Sequence, residues 1–309
     1  MICYNPGMLN FTLRQLQVFE KAASHLNYSR AAEELYLSQP AVSMQIKQLE
    51  GHIGLPLFEQ MGKKIFLTEA GRELFHYARS IAQQLAEMEE VFDEMKGLEH
   101  GKLTISVVNT ANYFTPQLLA KFCQRYPNIN VNLHVANRDA VLKQLADNST
   151  DLAIMGQPPD GMDISAESFL DNPLVVIAAP GHPLAKLKRV KFARLAEETF
   201  LSREKGSGTR SAMERVFAQH NIQPRISMEM ETNEAIKQAV QAGMGLAILS
   251  LHSIELELET GRLAMLNVEG FPLLRHWFVA HRSNKRLSGA ALAFKDFLLT
   301  EAEEIINAR

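Results

Sequence analysis

The sequence lacks most of the features that mark secreted, metal-binding or membrane-spanning proteins. Only 2 of its 309 residues are cysteine, too few for a disulfide framework or a cysteine-based metal cluster. No stretch approaches the roughly 20 apolar residues that a transmembrane helix needs. The opening residues, MICYNPGMLN, lack the charged start and apolar run of a signal peptide. We therefore expect a cytoplasmic protein with reduced thiols and no membrane association.

A strong charge imbalance is also missing. The chain has 32 lysines and arginines against 35 aspartates and glutamates, which gives a formal net charge of -3. The whole molecule therefore has no general attraction for polyanions, and any affinity for DNA must come from a local basic surface that dimerisation doubles. Hydrophobic residues make up 46% and charged residues 22% of the chain, which is typical of a globular protein of two or three domains.

Common catalytic motifs are missing as well. The 10 histidines form no His-Glu-x-x-His pair, and neither a Gly-x-Ser-x-Gly turn nor zinc-ligand cysteine spacing occurs. The segment GSGTR at residues 206–210 lacks the Gly-Lys-Ser/Thr ending of a phosphate-binding loop. Acidic pairs such as Glu197 and Glu198 are typical of solvated helix faces. The sequence therefore disfavours an enzyme and predicts neither a metal ion nor a cofactor.

What is present, at residues 29–51, is SRAAEELYLSQPAVSMQIKQLEG, a pattern of two short helices joined by a tight turn. Ser29 is placed to cap the first helix. Ala31, Ala32 and Leu35 form an apolar stripe whose small members allow a second helix to approach closely. The alternative is an ordinary helical hairpin in an all-α core.

The second helix of this pair is predicted to begin near Gln39. Ser38 is placed to cap it, and Pro40 lies in the first turn, where its missing N–H breaks no hydrogen bond. The inward-facing positions at helical spacing are Val42, Ile46, Leu49 and Ile53. The outward positions are Gln39, Ser43 and Lys47, flanked by Met44 and Gln48. Such polar groups suit base edges in the major groove, so the pair is interpreted as a helix-turn-helix DNA reader.

Residues 29–71, SRAAEELYLSQPAVSMQIKQLEGHIGLPLFEQMGKKIFLTEAG, closely resemble the DNA-binding module of LysR-type transcriptional regulators. The segment NYSRAAEELYLSQPAVSMQIKQLE is most similar to the CbbR-type regulators of RuBisCO operons. The order of elements after residue 100 also fits, so the resemblance covers essentially the whole chain. It implies a DNA-binding regulator that activates carbon-fixation genes, with control of another metabolic operon as the alternative.

A wing is predicted after the reader, from the β-prone runs LPLF and KIFL around a turn at Met61 and Gly62. Family members use this wing on the DNA backbone, which implies phosphate contacts for Lys63 and Lys64. Arg30, in the first turn of its helix, is assigned the same role. The full set of predicted DNA-binding residues is Arg30, Ser38, Gln39, Pro40, Ser43, Lys47, Lys63 and Lys64.

A long helix is predicted from Thr68. Its apolar residues step alternately by four and three, which specifies a coiled coil with a second copy of the chain rather than a lone buried helix. These residues are Leu74, Ala78, Ile81, Leu85, Met88, Phe92 and Met95. Gly97 and Gly101 mark a hinge. We therefore expect a winged helix-turn-helix domain at 1–67 and a dimerising linker helix at 68–98. The resemblance adds a homotetramer, a two-fold-related operator on double-stranded DNA, and RNA polymerase as a further partner.

Residues 102–309 alternate strands with helices, which predicts βα units and a parallel sheet. The predicted strands are KLTISVV, INVNLHV, LAIM, LVVIAA, TFLS, ISMEM and LAILS. Because the pattern restarts after residue 183, we expect two α/β lobes, lobe I at 102–179 with 278–309 and lobe II at 180–277. The return of the strand HWFVAH and the last helix to lobe I is implied by the family resemblance, which gives a two-lobed effector domain like a periplasmic ligand-binding protein.

Three strand-to-helix junctions are predicted to line a cleft between these lobes. Ligands of open parallel sheets bind beyond the carboxyl ends of strands, where helix starts present free N–H groups. The junction residues are Asn109, Thr110 and Ala111; Gly208, Thr209 and Arg210; and Glu231, Thr232 and Asn233. Each junction alone is explained as an ordinary cap or turn.

Together, with Arg203 or Lys205 close by in sequence, the junctions predict a site for a small anionic metabolite. The CbbR resemblance implies phosphorylated sugars, phosphoenolpyruvate, adenine nucleotides or NADPH as candidates. An architectural DNA-binding protein would leave both lobes without a role, whereas a metabolite-sensing regulator uses every segment.

Overall fold

The computed structural model describes residues 11–62, 64–95, 101–159 and 161–308. They form two compact units, Met1–Glu90 and Val91–Arg309. Lys63 and the predicted hinge at Gly97 lie outside the described residues. Within the described part of the chain, none of the helices combines the length and apolar character that crossing a bilayer requires.

The first unit is a three-helix bundle with a β-hairpin and a long helix. Its elements are α1 Leu13–His25, α2 Tyr28–Glu34, α3 Gln39–Ile53, β1 Phe58–Met61, β2 Lys64–Leu67 and α4 Glu69–Met95. The two strands pair antiparallel. Val18, Phe19, Val42 and Leu49 are among the buried residues at the centre of the bundle, so the predicted inward face of α3 is confirmed.

The helix caps agree with the prediction for α3 and differ for α2. The Oγ of Ser38 accepts a hydrogen bond from the N–H of Ala41 at 3.4 Å, as expected of an N-cap serine. In α2, Asn27 rather than Ser29 is the cap, because its Oδ1 accepts from the N–H groups of Ser29 and Arg30 at 2.9 and 3.2 Å. The helix therefore begins at Tyr28, and Ser29 lies within its first turn.

The wing forms later in the chain than the LPLF run predicted. Leu57 is fully buried in the helical core, and a carboxylate oxygen of Glu50 accepts hydrogen bonds from the N–H groups of Leu57 and Phe58 at 2.8 and 3.3 Å. The residues before Phe58 therefore anchor the hairpin to α3 instead of forming the strand. Gly62, with a φ of +64°, makes the turn where predicted.

The first half of α4 packs against the core of its own unit. Ala78 is buried there, and Leu74 and Ile81 are partly buried against the same cluster. These three residues, which the prediction placed in a coiled-coil seam, thus also have partners within their own unit. Leu85 is half-buried and Met88 is 49% exposed. The side chains of Phe92 and Met95 lie outside the described ones.

Lobe I of the second unit is built on a five-stranded sheet in the order β4-β3-β5-β12-β6. The strands are β3 Gly101–Val108, β4 Ile129–Ala136, β5 Leu152–Met155, β6 Ile164–Asp171 and β12 His276–Arg282. The first three run parallel, and β12 is antiparallel to both β5 and β6. The late return to lobe I that the family resemblance implied is therefore confirmed.

Lobe II contains a three-stranded sheet in the order β10-β7-β11 and the parallel pair β8-β9. The strands are β7 Leu174–Ala178, β8 Thr199–Arg203, β9 Arg225–Met230, β10 Ala247–Ser250 and β11 Ala264–Leu266. A bridge between Phe200 and Leu246 joins the two sheets. The helices of both lobes are α5 Thr115–Arg125, α6 Arg138–Ala146, α7 Gly208–Gln219, α8 Asn233–Gln241, α9 Glu255–Glu259 and α10 Gly289–Asn307, with 3-10 turns at Asn109–Tyr113, Pro183–Lys186, Phe192–Glu197 and Leu251–Ser253.

Two features of this topology correct the sequence interpretation. Strand β7 pairs with β10 and β11, so it belongs to lobe II, and the predicted boundary at residue 179 is wrong. The chain crosses between lobes next to Asn172, whose N–H donates to the carbonyl of Arg275 at 2.7 Å. Strand β6 was not predicted, because its sequence ISAESFLD is largely polar and it occupies the exposed edge of the sheet.

Gly71, at the start of α4, is a position that excludes any side chain. A β-carbon there would lie 2.1 Å from the carbonyl oxygen of Leu57, so Gly71→Ala forces α4 away from the bundle. We expect this variant to lower the free energy of unfolding by about 1–3 kcal/mol, as overpacked positions do. Urea unfolding of the full chain, followed by circular dichroism, measures the change.

The matched control is Gly51→Ala, in the last turns of α3. No atom lies within 4 Å of a β-carbon there, so the substitution should stabilise the fold by about 0.4–1 kcal/mol through the unfolded state. Destabilisation by Gly51→Ala equal to that of Gly71→Ala would show that the contact with Leu57 is not the cause.

Candidate functional sites

The outward face of α3 presents a continuous reading surface. Six side chains line one shallow, solvent-open hollow: Gln39, Pro40, Ser43, Met44, Lys47 and Gln48. The opposite face of the helix is buried in the bundle, so the polar face is held outward by packing. Four of the predicted DNA-binding residues thus lie together. Ser38 differs in role, because its hydroxyl caps the helix.

The predicted phosphate-contacting cations lie on other elements of the same unit. Arg30 is exposed in the first turn of α2, and Lys64 is exposed at the start of β2. Among the described residues, neither forms a salt bridge, and Lys47 forms none either. Their charges therefore remain available to a polyanion.

One buried residue that supports this surface was not predicted from the sequence. Gln15 of α1 is buried and donates from Nε2 to the Oε1 of Gln48 at 3.3 Å. The bond fixes the amide of Gln48 at the edge of the reading surface. No sequence signal marks this pair, because the two residues lie on different helices.

A cleft of about 430 Å³, partly open to solvent, lies between the lobes of the second unit. Four of the nine predicted effector residues line it, namely Asn109, Thr110, Gly208 and Thr209. Ser207, within the GSGTR segment, and Arg203, which was expected close by, also line it. The lining residues that sequence reasoning did not name are Val108, Asn137, Arg138, Gly156, Asn172, Glu204, Arg275 and Trp277. The predicted place of the site is supported, whereas its predicted composition is only partly so.

Two helix starts from opposite lobes open into this cleft without a side-chain cap. Ser207 precedes α7, and no hydrogen bond from its side chain to the first turn is present. The 3-10 turn at Asn109–Tyr113 likewise has no side-chain cap. Uncapped N–H groups at a helix start attract anions. The N–H groups at both helix starts can therefore donate hydrogen bonds to a ligand in the cleft.

Behind the cleft, a chain of buried hydrogen bonds joins the lobes. Arg203 contacts both carboxylate oxygens of Glu204, at 2.7 and 2.9 Å, and donates to the Oδ1 of Asn233 at 2.5 Å. The amide of Asn233 in turn donates to the Oγ1 of Thr110 at 3.3 Å. Because Glu204 neutralises Arg203, this arginine supplies connectivity rather than net charge.

The remaining predicted effector residues do not line the cleft, each for a local reason. Ala111 is fully buried in the core of lobe I. The guanidinium of Arg210 is paired with Glu214 and Glu229. The Thr232 hydroxyl caps α8 by accepting from the N–H of Ala235 at 3.2 Å.

The last two corrections concern the third junction. The carbonyl of Glu231 accepts a hydrogen bond from Arg203 at 3.1 Å. Glu231 is therefore already bonded within the hydrogen-bond chain that joins the lobes. Asn233 is buried in the same hydrogen-bond chain. It is connected to the cleft only through its hydrogen bonds with Thr110 and Arg203. Glu231 and Asn233 were predicted to line the cleft because sequence spacing does not show whether a polar group is already hydrogen-bonded to another residue.

Two lining side chains carry buried polar atoms with no partner among the residues that the structure describes. They are the Nε1 of Trp277 and the Oδ1 of Asn172. A buried N–H or C=O without a hydrogen bond costs about 1–3 kcal/mol, so such atoms mark places where a ligand or water completes the bonding. Trp277 is the sole tryptophan of the chain and lies at the crossover.

Two arginines give the cleft a positive charge. Arg275 donates from Nη1 to the carbonyl of Gly208 at 3.1 Å, and Arg138 donates to the carbonyl of Gln157 at 3.2 Å. Neither forms a salt bridge within the described residues. Burial lowers the pKa of the Arg275 guanidinium, and the positive charges of Arg215 and Arg138 lower it further. An anionic ligand would offset this repulsion.

Comparison with known proteins assigns a family to both units. Residues 13–72 match the model of the bacterial regulatory helix-turn-helix protein, lysR family, and residues 96–303 match the LysR substrate binding domain. The chain is 57% identical over 294 residues to the RuBisCO operon transcriptional regulator of Allochromatium vinosum, covering 95% of this chain and 97% of that one. It is 45% identical to the HTH-type transcriptional activator CmpR of Synechocystis, with 98% and 99% covered.

A solved structure adds a ligand-bound relative. The regulatory domain of Synechocystis CcmR in complex with 2-PG, 2-phosphoglycolate, superimposes with a TM-score of 0.64 at 41% identity, covering 66% of this chain and 98% of that one. The mixed fold predicted from the sequence, a winged helix-turn-helix followed by a two-lobed α/β domain, is confirmed, as is the similarity to RuBisCO operon regulators. The chain belongs to the LysR family of bacterial transcriptional regulators.

Proposed function

We propose that this chain activates carbon-fixation genes, including a RuBisCO operon, and that a small anionic metabolite in the interlobe cleft modulates its binding to the operator. The observation that carries the effector assignment is that the uncapped start of α7 lines the cleft together with Arg138 and Arg275, which have no salt bridge among the described residues. The target assignment is supported by relatives named as RuBisCO operon regulators. We propose 2-phosphoglycolate, the ligand of the CcmR domain, as the first effector to test.

In this proposal the reading surface of α3 enters the major groove. Gln39, Ser43 and Lys47 face base edges, where an amide, a hydroxyl and an ammonium group match the donor and acceptor patterns of specific bases. Arg30, Lys63 and Lys64 contact phosphates and position the reader without selecting sequence.

We also propose that the chain reads a two-fold-related operator as a dimer joined through α4, with two dimers forming a tetramer. Leu85 and Met88 are the described seam residues that are not part of the bundle core. A second copy of α4 would bury them. RNA polymerase is the partner that activation requires.

Effector control follows from the contacts that cross the cleft. Arg138 and Asn109 belong to lobe I and Thr209 to lobe II, so a ligand bound to all three favours one arrangement of the lobes. Its effect on the operator complex cannot exceed its differential affinity for the two arrangements. Regulation in this form changes the geometry of the bound DNA and leaves the base contacts intact.

The first prediction concerns base reading. Gln39→Ala should weaken binding to the operator by about 1–3 kcal/mol and leave binding to scrambled DNA unchanged, because only the base contact is lost. Gln45→Ala, on the same helix but outside the reading surface, is the matched control. Fluorescence anisotropy at fixed salt measures both. An equal loss on scrambled DNA would contradict a role in base reading.

The second prediction concerns assembly. Leu85→Asp combined with Met88→Asp should separate the two copies joined through α4 and halve the mass of the full-length assembly, since a seam carboxylate without a partner is strongly unfavourable. Ile81 is left unchanged because it also packs in the bundle. Light scattering gives the mass, and Gln84→Asp at an exposed position of α4 is the control. A double variant with the same mass as the unmodified assembly would refute the seam.

The third prediction concerns the effector. Thr209→Val keeps the shape of the α7 start and removes its hydroxyl, so affinity for 2-phosphoglycolate should fall by about tenfold or more. Thr209→Ser should retain it. Calorimetry measures the affinity, and operator footprints with and without 2-phosphoglycolate measure the response. If Thr209→Val binds and responds like the unmodified chain, the effector lies elsewhere.

A further inference from the structure

A second cavity adjoins the interlobe cleft on the side of α7. It encloses about 1530 Å³, including space open to solvent. Its walls are the outer face of α7, the segment at residues 157–159 after β5, and the crossover at residues 273–276. Arg138, Gly208 and Arg275 line both this cavity and the cleft. The two spaces are therefore separated by shared side chains rather than by a wall of core residues.

The lining of this cavity is strongly positive. Among the residues that the structure describes, it includes three arginines, Arg138, Arg215 and Arg275, and no aspartate or glutamate. Within the described residues, Arg215 has no hydrogen-bond partner, and Arg138 and Arg275 each donate to a single backbone carbonyl. Most of their N–H donors are thus left for another acceptor.

Other arginines nearby are neutralised, which shows that the pattern is local. On the same helix, Arg210 pairs with Glu214 and Glu229. Behind the cleft, Arg203 pairs with Glu204 at 2.7 Å. These two arginines near the cleft are therefore paired with carboxylates, unlike the three that line the second cavity.

Two of the three arginines, Arg138 and Arg275, are also brought close together. A β-carbon at Gly208 would lie 3.5 Å from the Cδ of Arg138 and 4.0 Å from the Nη2 of Arg275, so the two side chains flank this glycine. A β-carbon at Gly156 would lie 2.9 Å from the same Nη2, so a glycine there is what lets the guanidinium lie at the cleft. Holding like charges together is unfavourable unless an anion joins them.

We propose that Arg138, Arg215 and Arg275 form a second anion-binding site for a phosphoryl or carboxylate group, next to the helix starts of the cleft. The planar N–H forks of arginine suit both oxyanions. The site rests on the proposed function, because the cleft itself takes the first anionic group. The second anion is either another group of the same ligand or a separate phosphate, and the two sources are distinguished by competition.

The position of the three arginines gives this site a regulatory role. Arg138 lies on α6 of lobe I, Arg215 on α7 of lobe II, and Arg275 on the crossover between them. An anion held by all three contacts both lobes and the segment that connects them. It therefore favours the lobe arrangement in which the three guanidinium groups converge.

The test is calorimetric titration of inorganic pyrophosphate into the full-length chain at constant ionic strength. Arg215→Gln removes the one arginine that lines the second cavity and not the cleft. It should weaken pyrophosphate binding by about tenfold or more, the loss expected for charge-assisted hydrogen bonds. Arg194→Gln, an exposed lobe II arginine paired with Glu197, makes the same charge change away from the cavity and should alter the affinity less than about twofold. Thermal unfolding confirms that both variants are folded.

The titration is repeated on protein saturated with 2-phosphoglycolate. Undiminished pyrophosphate binding that depends on Arg215 identifies a separate anion, and competition that depends on Arg215 identifies one ligand reaching both sites. Pyrophosphate affinity that is the same with and without Arg215, or equally weakened by Arg194→Gln, overturns the second site. So does a wild-type chain that binds 2-phosphoglycolate but no pyrophosphate, and that result leaves the proposed function standing. Binding of neither anion would contradict both.

Discussion

The effector unit depends on the hydrogen-bond chain that runs from Glu204 through Arg203 and Asn233 to Thr110. It satisfies an arginine that is only 3% exposed, and it links the start of α8 in lobe II to the 3-10 turn in lobe I. Buried polar groups of this kind stabilise a fold only when every member has its partners. The chain therefore holds the start of α8 in lobe II against the 3-10 turn in lobe I, and both Arg203 and Thr110 line the cleft.

Charge compensation separates two groups of arginines in this unit. Arg203 and Arg210 have carboxylate partners and hold the frame, while Arg138, Arg215 and Arg275 are without one among the described residues. The positive potential is thus concentrated on one side of the cleft, although the chain as a whole carries a net charge of -3. A site for anions in an acidic protein depends on this local separation.

Helices α3 and α4 of the DNA-reading unit likewise combine a packed surface with an exposed one. One face of α3 supplies bundle core, and the other supplies the reading surface. Helix α4 combines an intramolecular contact at Ala78 with an exposed apolar side chain at Met88, so one apolar stripe holds the helix to its own bundle and then continues onto an exposed surface. The excluded side chain at Gly71 explains how closely the start of α4 approaches the bundle.

The sequence by itself determined the features that depend on local periodicity and motif length. Helix α3, its Ser38 cap, its buried and outward faces, and the family were all readable, because helical spacing and a long motif are local signals. Most strands of the lobes were readable from apolar runs, whereas the polar edge strand β6 was not. The starts at Thr110 and Thr209 were found because a strand followed by a small polar residue marks a junction.

Only the tertiary structure decided which polar groups are free. It showed that Thr232 and Arg210 are already bonded, that β7 belongs to lobe II, and that Arg138, Arg275 and Trp277 converge from separate elements on one cleft. These facts depend on contacts between residues far apart in the chain, and spacing along the sequence carries no information about whether a donor or a charge finds its partner there. The physical reason is that the bonding state of a polar group is set by three-dimensional neighbours, while its tendency to cap or to lie in a strand is set by adjacent residues.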